Sequence, residues 1–144
     1  MAAHTMTENE IWAFLDSTPP RTGKLATVRA DGSPHVAPIW FCVDGREIIF
    51  NTGAETVKGK ALARDKRVAL CVDDERPPFS FVLVEGTAQL VDDAGELRRW
   101  AGLIGGRYMG QDQADAYGER NAVPGELLVR IHPTRITAQA DLAD

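Results

Sequence analysis

Between Asn51 and Lys60 the chain reads Asn-Thr-Gly-Ala-Glu-Thr-Val-Lys-Gly-Lys, small and hydroxylated residues ending in two lysines. A strand that leaves through such a turn into a helix exposes backbone N–H groups with no intrahelical acceptor, and these favour an anion. Gly53 lets the backbone approach a ligand closely. Lys58 falls in the first helical turn, where a cation opposes the helix dipole by roughly 0.3–1 kcal/mol. An anion held between the ammonium group and the N–H groups reverses that sign, and Lys60 and Arg64 add positive charge nearby. The chemistry on offer is phosphate binding. The same residues also fit a solvated lysine face on a surface helix, the common outcome for strand–turn–helix segments. The spacing GxxxxGK[ST] of a P-loop is absent.

The second candidate segment runs from Pro34 through His35, Val36, Ala37, Pro38, Ile39 and Trp40 to Phe41. Two prolines remove ladder donors, so this strand belongs at a sheet edge or is interrupted. An edge leaves backbone carbonyl and amide groups that a planar heterocycle can use. It also fits a strand merely protected from aggregation by its prolines. Trp40 and Phe41 point to opposite faces, so at most one lines any given pocket. His4, His35 and His132 are too scattered for a metal set. His35 could donate a proton beside this strand, or serve as a plain surface or core histidine. The acidic runs Asp73–Glu75 and Asp92-Asp93 fall at turns and strand ends, as solvated carboxylates do. No nucleophile–base triad is present.

These segments need elements to position them. Thr7 and Glu10 have capping-box spacing for a first helix to Leu15, stopped by Pro19-Pro20. Alternation predicts strands over 24–30, 34–43 and 47–52, joined by the tight turns Asp31-Gly32 and Asp44-Gly45 as an antiparallel meander. A helix over 55–64 follows, then strands over 67–73 and 79–91 separated by Pro77-Pro78. Asp93 and Glu96 cap a helix bearing Leu97, Trp100, Ala101 and Ile104, which Gly105-Gly106 is expected to disturb or end. A short helix over 112–120 and a last strand over 126–138 complete a mainly β (α+β) chain of six strands, a closed or nearly closed antiparallel barrel.

At 144 residues, 44% apolar and 26% charged, the chain has the length and composition of a single globular domain, expected to span 1–144. A net charge of -5 argues against nucleic acid as main partner. No apolar run has the length of a membrane span or a signal core, so no membrane partner is expected and the cytoplasm is the expected location. Cys42 and Cys71, without CxxC spacing, read as reduced thiols.

The run LATVRADGSPHVAPIWF, followed by IIFNTG, VKGKALARDKRVAL and FVLVEGTAQL, resembles the pyridoxamine-phosphate-oxidase-like flavin split barrels. Within them it is most similar to the actinobacterial branch that uses the deazaflavin coenzyme F420. The likeness covers about residues 22–91, with a weaker echo over 127–136. It implies an antiparallel six-stranded split β-barrel with short flanking helices, assembled as a homodimer with cofactor sites at the subunit interface. It further implies that Val36, Ala37, Pro38, Ile39 and Trp40 pass along the cofactor ring by backbone contacts. Asn51, Thr52 and Lys58 would hold the phosphate side, Lys60 would assist, and Phe79 and Ser80 would approach from the side. Many FMN-binding relatives carry an arginine where this chain has Val57, and loss of that bidentate donor turns the expectation from FMN toward F420. The residues near Arg130 and Arg135 lack the substrate motif of a pyridoxamine phosphate oxidase. The implied function is hydride transfer between F420 and a small conjugated or hydrophobic molecule. The alternatives are an FMN-dependent oxidoreductase and a non-catalytic F420 carrier, and substrate selection is expected from the 107–122 region. Trp40, Phe79, Phe81 and Tyr108 are candidates for an apolar lining, with Trp100 a core residue.

Overall fold

The computed structural model describes residues 2–144. In chain order the elements are β1 (His4–Thr5), α1 (Glu8–Leu15), β2 (Gly23–Val28), β3 (Pro34–Ile39), β4 (Cys42–Asp44), β5 (Glu47–Gly53), α2 (Val57–Arg64), β6 (Arg67–Asp74), β7 (Ser80–Val91), α3 (Ala94–Met109), α4 (Ala114–Asn121) and β8 (Glu126–Ala140). A 3-10 turn over Gln111–Gln113 joins the last two helices. The strands form one antiparallel sheet of order β3-β2-β6-β7-β8-β5-β4, with β1 added to β8. This is the expected mainly β split-barrel architecture, with eight strands rather than six.

The expected strand over 34–43 is two strands. It breaks at Trp40-Phe41, so β3 pairs with β2 at one end of the sheet and β4 pairs with β5 at the other. The three-strand meander is therefore two separate hairpins. The break is stable because side chains replace the ladder there. The Arg107 guanidinium donates to the Phe41 carbonyl at 2.7 Å, and the Phe41 N–H donates to the Tyr108 hydroxyl at 3.3 Å. Phe41 itself is fully buried. The sheet is not closed by hydrogen bonds between β3 and β4; only the chain joins its two ends, which is the split.

Inside the barrel, Leu25, Phe41, Phe50, Leu70, Val72, Val82, Val84, Val129 and Ile131 form the main core. Helix α1 adds Leu15, with Ile11, Trp12 and Phe14 packed against it. Its capping box is present: Thr7 accepts from the Glu10 N–H, and Glu10 accepts from the Thr7 N–H. A second core of Cys42, Ile49, Leu97, Trp100, Ile104 and Leu128 lies where α3 covers the outer face of β4, β5 and β8. This explains the unbroken apolar run Ile48-Ile49-Phe50: Ile48 and Phe50 face inward while Ile49 faces α3, so the strand is buried on both sides.

Helix α3 does not stop at Gly105-Gly106 but continues to Met109. The glycines serve close packing instead. A Cβ on Gly105 would lie 2.3 Å from Tyr117 Cβ, and one on Gly102 3.1 Å from the Ala114 carbonyl oxygen. These contacts let α4 lie directly against α3, and the tertiary gain outweighs a helix penalty of about 1 kcal/mol per glycine. Among the described residues no helix is long and apolar enough to cross a membrane.

Candidate functional site

Helix α2 begins one turn after β5 ends, and its start is tightly specified. The Thr56 hydroxyl accepts from the Gly59 N–H at 3.1 Å and donates to the Gly53 carbonyl at 2.8 Å. It also lies 3.1 Å from the hydroxyl of Thr52, which is buried. Any Cβ on Gly59 would fall 2.1 Å from the Gly53 oxygen, so only glycine permits this close approach of helix to strand. Lys58, second residue of the helix, is thereby fixed beside the end of β5.

There a pocket of about 260 Å³ opens, lined by Pro38, Ile39 and Trp40 from β3 and the break, Asn51 from β5, and Lys58 from α2. Ala101, Ile104 and Gly105 from α3 and Tyr117 and Asn121 from α4 complete it. Lys58 is the one charged side chain in this lining, and it makes no ion pair with a described residue. Asn51 donates its amide to Glu126 at 2.9 Å, which leaves its side-chain oxygen as an acceptor. Strand β3 is paired on one side only, so alternate peptide groups remain outside the ladder.

The aromatic wall is built around Trp40. Its ring stacks on Tyr108 with centroids 5.1 Å apart and planes 4° from parallel, and Tyr117 lies tilted at 5.9 Å. Tyr108 is held by its hydroxyl, which donates to the Arg21 carbonyl at 2.8 Å as well as accepting from Phe41. Burial pushes its phenol above the usual value, so it stays neutral at physiological pH. Trp100 packs in the α3 core with its indole nitrogen unpartnered.

Of the residues the family resemblance singles out, the structure gathers Pro38, Ile39, Trp40, Asn51 and Lys58 around one pocket. Thr52 supports it from beneath through Thr56. Val36 and Ala37 lie on β3 outside the lining, Val36 being 63% exposed. Lys60 is on another face of α2, beside Val57, Arg64 and Arg29, and pairs with Glu55 at 3.6 Å. Phe79 and Ser80 are not in this lining. Ser80 accepts from the Asp141 N–H, and the Phe79 carbonyl accepts from the Leu142 N–H. His35 sits opposite Thr27 on β2 with a buried, unpartnered Nδ1, away from the pocket. Arg130 is engaged by Asp44 and Glu47, and Arg135 by Glu85. Tyr117 and Asn121 carried no individual signal in the sequence beyond lying in the 107–122 region. Their i,i+4 spacing becomes meaningful only once α4 is laid on α3.

The fold and this pocket define a split-barrel protein with one basic, aromatic-walled pocket beside the end of β5. The chain belongs to the pyridoxamine 5'-phosphate oxidase family, whose model matches residues 7–140. It is 40% identical over 85 residues to a 5a,11a-dehydrotetracycline/5a,11a-dehydrooxytetracycline reductase of Streptomyces rimosus, covering 54% of this chain and 60% of that protein's length. A conserved hypothetical protein of Mycobacterium tuberculosis is 32% identical with a TM-score of 0.81, over 92% of this chain and 84% of that one. A solved F420 reductase is 27% identical with a TM-score of 0.61, over 81% of this chain and 89% of that one.

Proposed function

We propose that this chain is an F420-dependent reductase acting on a small conjugated organic molecule. The carrying observation is electrostatic: Lys58 is the single charged group of the pocket lining and forms no ion pair with a described residue. The phosphate of F420 is a diester with one negative charge, which one ammonium group neutralises. The terminal phosphate of FMN is a monoester of about -1.5 to -2 at neutral pH, and one lysine leaves part of that charge uncompensated. Val57, where an arginine would help, is 46% exposed on a different face of α2. The likeness to an F420 reductase and to a dehydrotetracycline reductase supports the same reading.

When bound, the deazaflavin would supply the hydride. Lys58 and the α2 N-terminus would hold its phosphate, the free peptide edge of β3 its ring, and the Trp40 wall would exclude water. We further propose a homodimer formed through the outer face of β2, β6 and β7. There Ala26, Ala69, Cys71 and Leu83 are only partly buried, and the register places Ala26 opposite Ala69 and Cys71 opposite Leu83.

Titration with F420 and with FMN, followed by calorimetry, tests the cofactor. The expected result is F420 binding and little FMN binding; FMN binding without F420 binding overturns it. The family match favours FMN as the second reading, and a yellow protein on purification would mark it. Tight binding of reduced F420 that no acceptor ever oxidises would indicate a carrier.

A further inference from the structure

We propose that Tyr108, which is not part of the pocket lining, is a positioning residue that sets the orientation of Trp40 and, through it, the pocket's hold on its cofactor. Its effect on a cofactor presupposes the function proposed above, whereas its hold on Trp40 does not.

Trp40 stands where the sheet offers it no support. The ladder of β3 ends at Ile39, paired with Gly23, and that of β4 begins at Cys42, paired with Ile49. Trp40 and Phe41 have no register partner, so the backbone there is fixed only by what side chains supply. One turn of α3 supplies it. The Phe41 N–H donates to the Tyr108 hydroxyl at 3.3 Å, and the Phe41 carbonyl accepts from Arg107 at 2.7 Å. Phe41 is fully buried, so losing either bond strands a polar group away from water.

Both α3 residues are themselves anchored. The Tyr108 hydroxyl donates to the Arg21 carbonyl at 2.8 Å, so a single oxygen links the break to the segment ahead of β2. Arg107 also donates to the Leu15 carbonyl at 2.9 Å and the Ser17 carbonyl at 3.4 Å. Those carbonyls lie at the end of α1, whose negative dipole end offsets the guanidinium charge. With its hydroxyl engaged on both sides, the Tyr108 ring is held in one plane. The Trp40 indole lies on that ring, centroids 5.1 Å apart and planes 4° from parallel. Trp40 lines the pocket and Tyr108 does not, so the tyrosine acts on the pocket through the indole. Apolar backing alone would not require the hydroxyl, since phenylalanine presents the same ring. What the hydroxyl adds is direction.

The test uses the full-length protein labelled with fluorotryptophan, whose three indoles are read by fluorine NMR, together with calorimetry of F420 binding. Trp40→Phe assigns the Trp40 signal. Tyr108→Phe removes only the hydroxyl. It is expected to shift or broaden the Trp40 signal, to leave those of Trp12 and Trp100 in place, and to weaken F420 binding about tenfold. Tyr108→Leu, which also removes the stacked ring, should weaken it further. Arg107→Lys, which keeps a donor for the Phe41 carbonyl, should disturb the Trp40 signal less than Arg107→Met. The proposal is overturned if Tyr108→Phe leaves the Trp40 signal unchanged, or if all three signals move together, as a merely structural residue would make them. It is equally overturned if the Trp40 signal moves while F420 affinity keeps its wild-type value. A wild type that does not bind F420, with a Trp40 signal that still responds to Tyr108→Phe, sinks the deazaflavin reading and leaves the hold on Trp40 standing.

Discussion

At the scale of single residues, Lys58 acquires its meaning from its surroundings. A lysine near a helix start is unfavourable against the dipole; the first turn of α2 holds no acidic residue, and among the described residues none pairs with Lys58. A charge-assisted hydrogen bond to a phosphate contributes about 1.5–3 kcal/mol. Lys58→Ala should therefore weaken F420 binding roughly ten- to a hundredfold by calorimetry, with thermal stability unchanged. Unaltered affinity would remove Lys58 as the anchor. A second residue-level device ties down the N-terminal segment. His4 Nδ1 donates to the Ala2 carbonyl at 2.9 Å, so Nε2 can donate to Glu10, also at 2.9 Å, only as the imidazolium.

The backbone hydrogen bond to Ala2 and the bond to Glu10 raise the His4 value above 6.5. The Thr7 N–H, followed by His4, lowers Glu10 from 4.5 to about 2. The raised histidine stabilises below 6.5 and loses that contribution as pH climbs through its folded value. The lowered carboxylate stabilises above 4.5 and loses its contribution as pH falls toward 2. The difference in melting temperature between wild type and His4→Ala should thus peak between about pH 4.5 and 6.5 and shrink on both sides. A difference that keeps growing above pH 7 would contradict the pairing.

At the scale of elements, two helix placements depend on contacts that only small residues permit. Thr56 caps α2 and also bonds back to Gly53, coupling the helix start to the end of β5. Thr56→Ala should cost about 1 kcal/mol in urea unfolding, and by loosening the Lys58 turn it should weaken F420 binding as well. Gly105→Ala places a methyl group 2.3 Å from Tyr117 Cβ, so α4 must shift outward. The expected readout is a changed Trp40 fluorescence with α3 helicity retained in circular dichroism; an unchanged spectrum would mean that α4 does not rest on this glycine. Much of this level was legible in advance. The Thr7 capping box, the hairpin turns and the edge position of β3 follow from local chemistry. The end assigned to α3 did not, because helix propensity counts Gly105-Gly106 as a loss and cannot see the neighbouring helix that requires it.

At the scale of the whole molecule, the sheet carries two different apolar surfaces. Alternation on β6 sends Val68, Leu70 and Val72 into the barrel and leaves Ala69 and Cys71 outside, half-exposed. The proposed dimer covers that outer surface. Leu83→Lys should then yield monomers in sedimentation equilibrium and weaken F420 binding if the partner completes the site. A wild type that is monomeric at high micromolar concentration would count against the interface.

Local sequence determined most of the strand and helix segments though not β1, where most of them turn, that Trp40 and Phe41 part company, and that a lysine stands at a helix start after a glycine turn. Those features depend on alternation, capping and backbone freedom, which act within a few residues. Only the tertiary structure decided that the 34–43 strand splits, because the hydrogen bonds that stabilise the break come from Arg107 and Tyr108, more than sixty positions away. It likewise decided that Lys58 lines the pocket beside Trp40 while Lys60 lies on another face of α2, and that Tyr117 packs against Trp40. Those outcomes depend on how α2, α3 and α4 rotate against the sheet, and that rotation is set by packing.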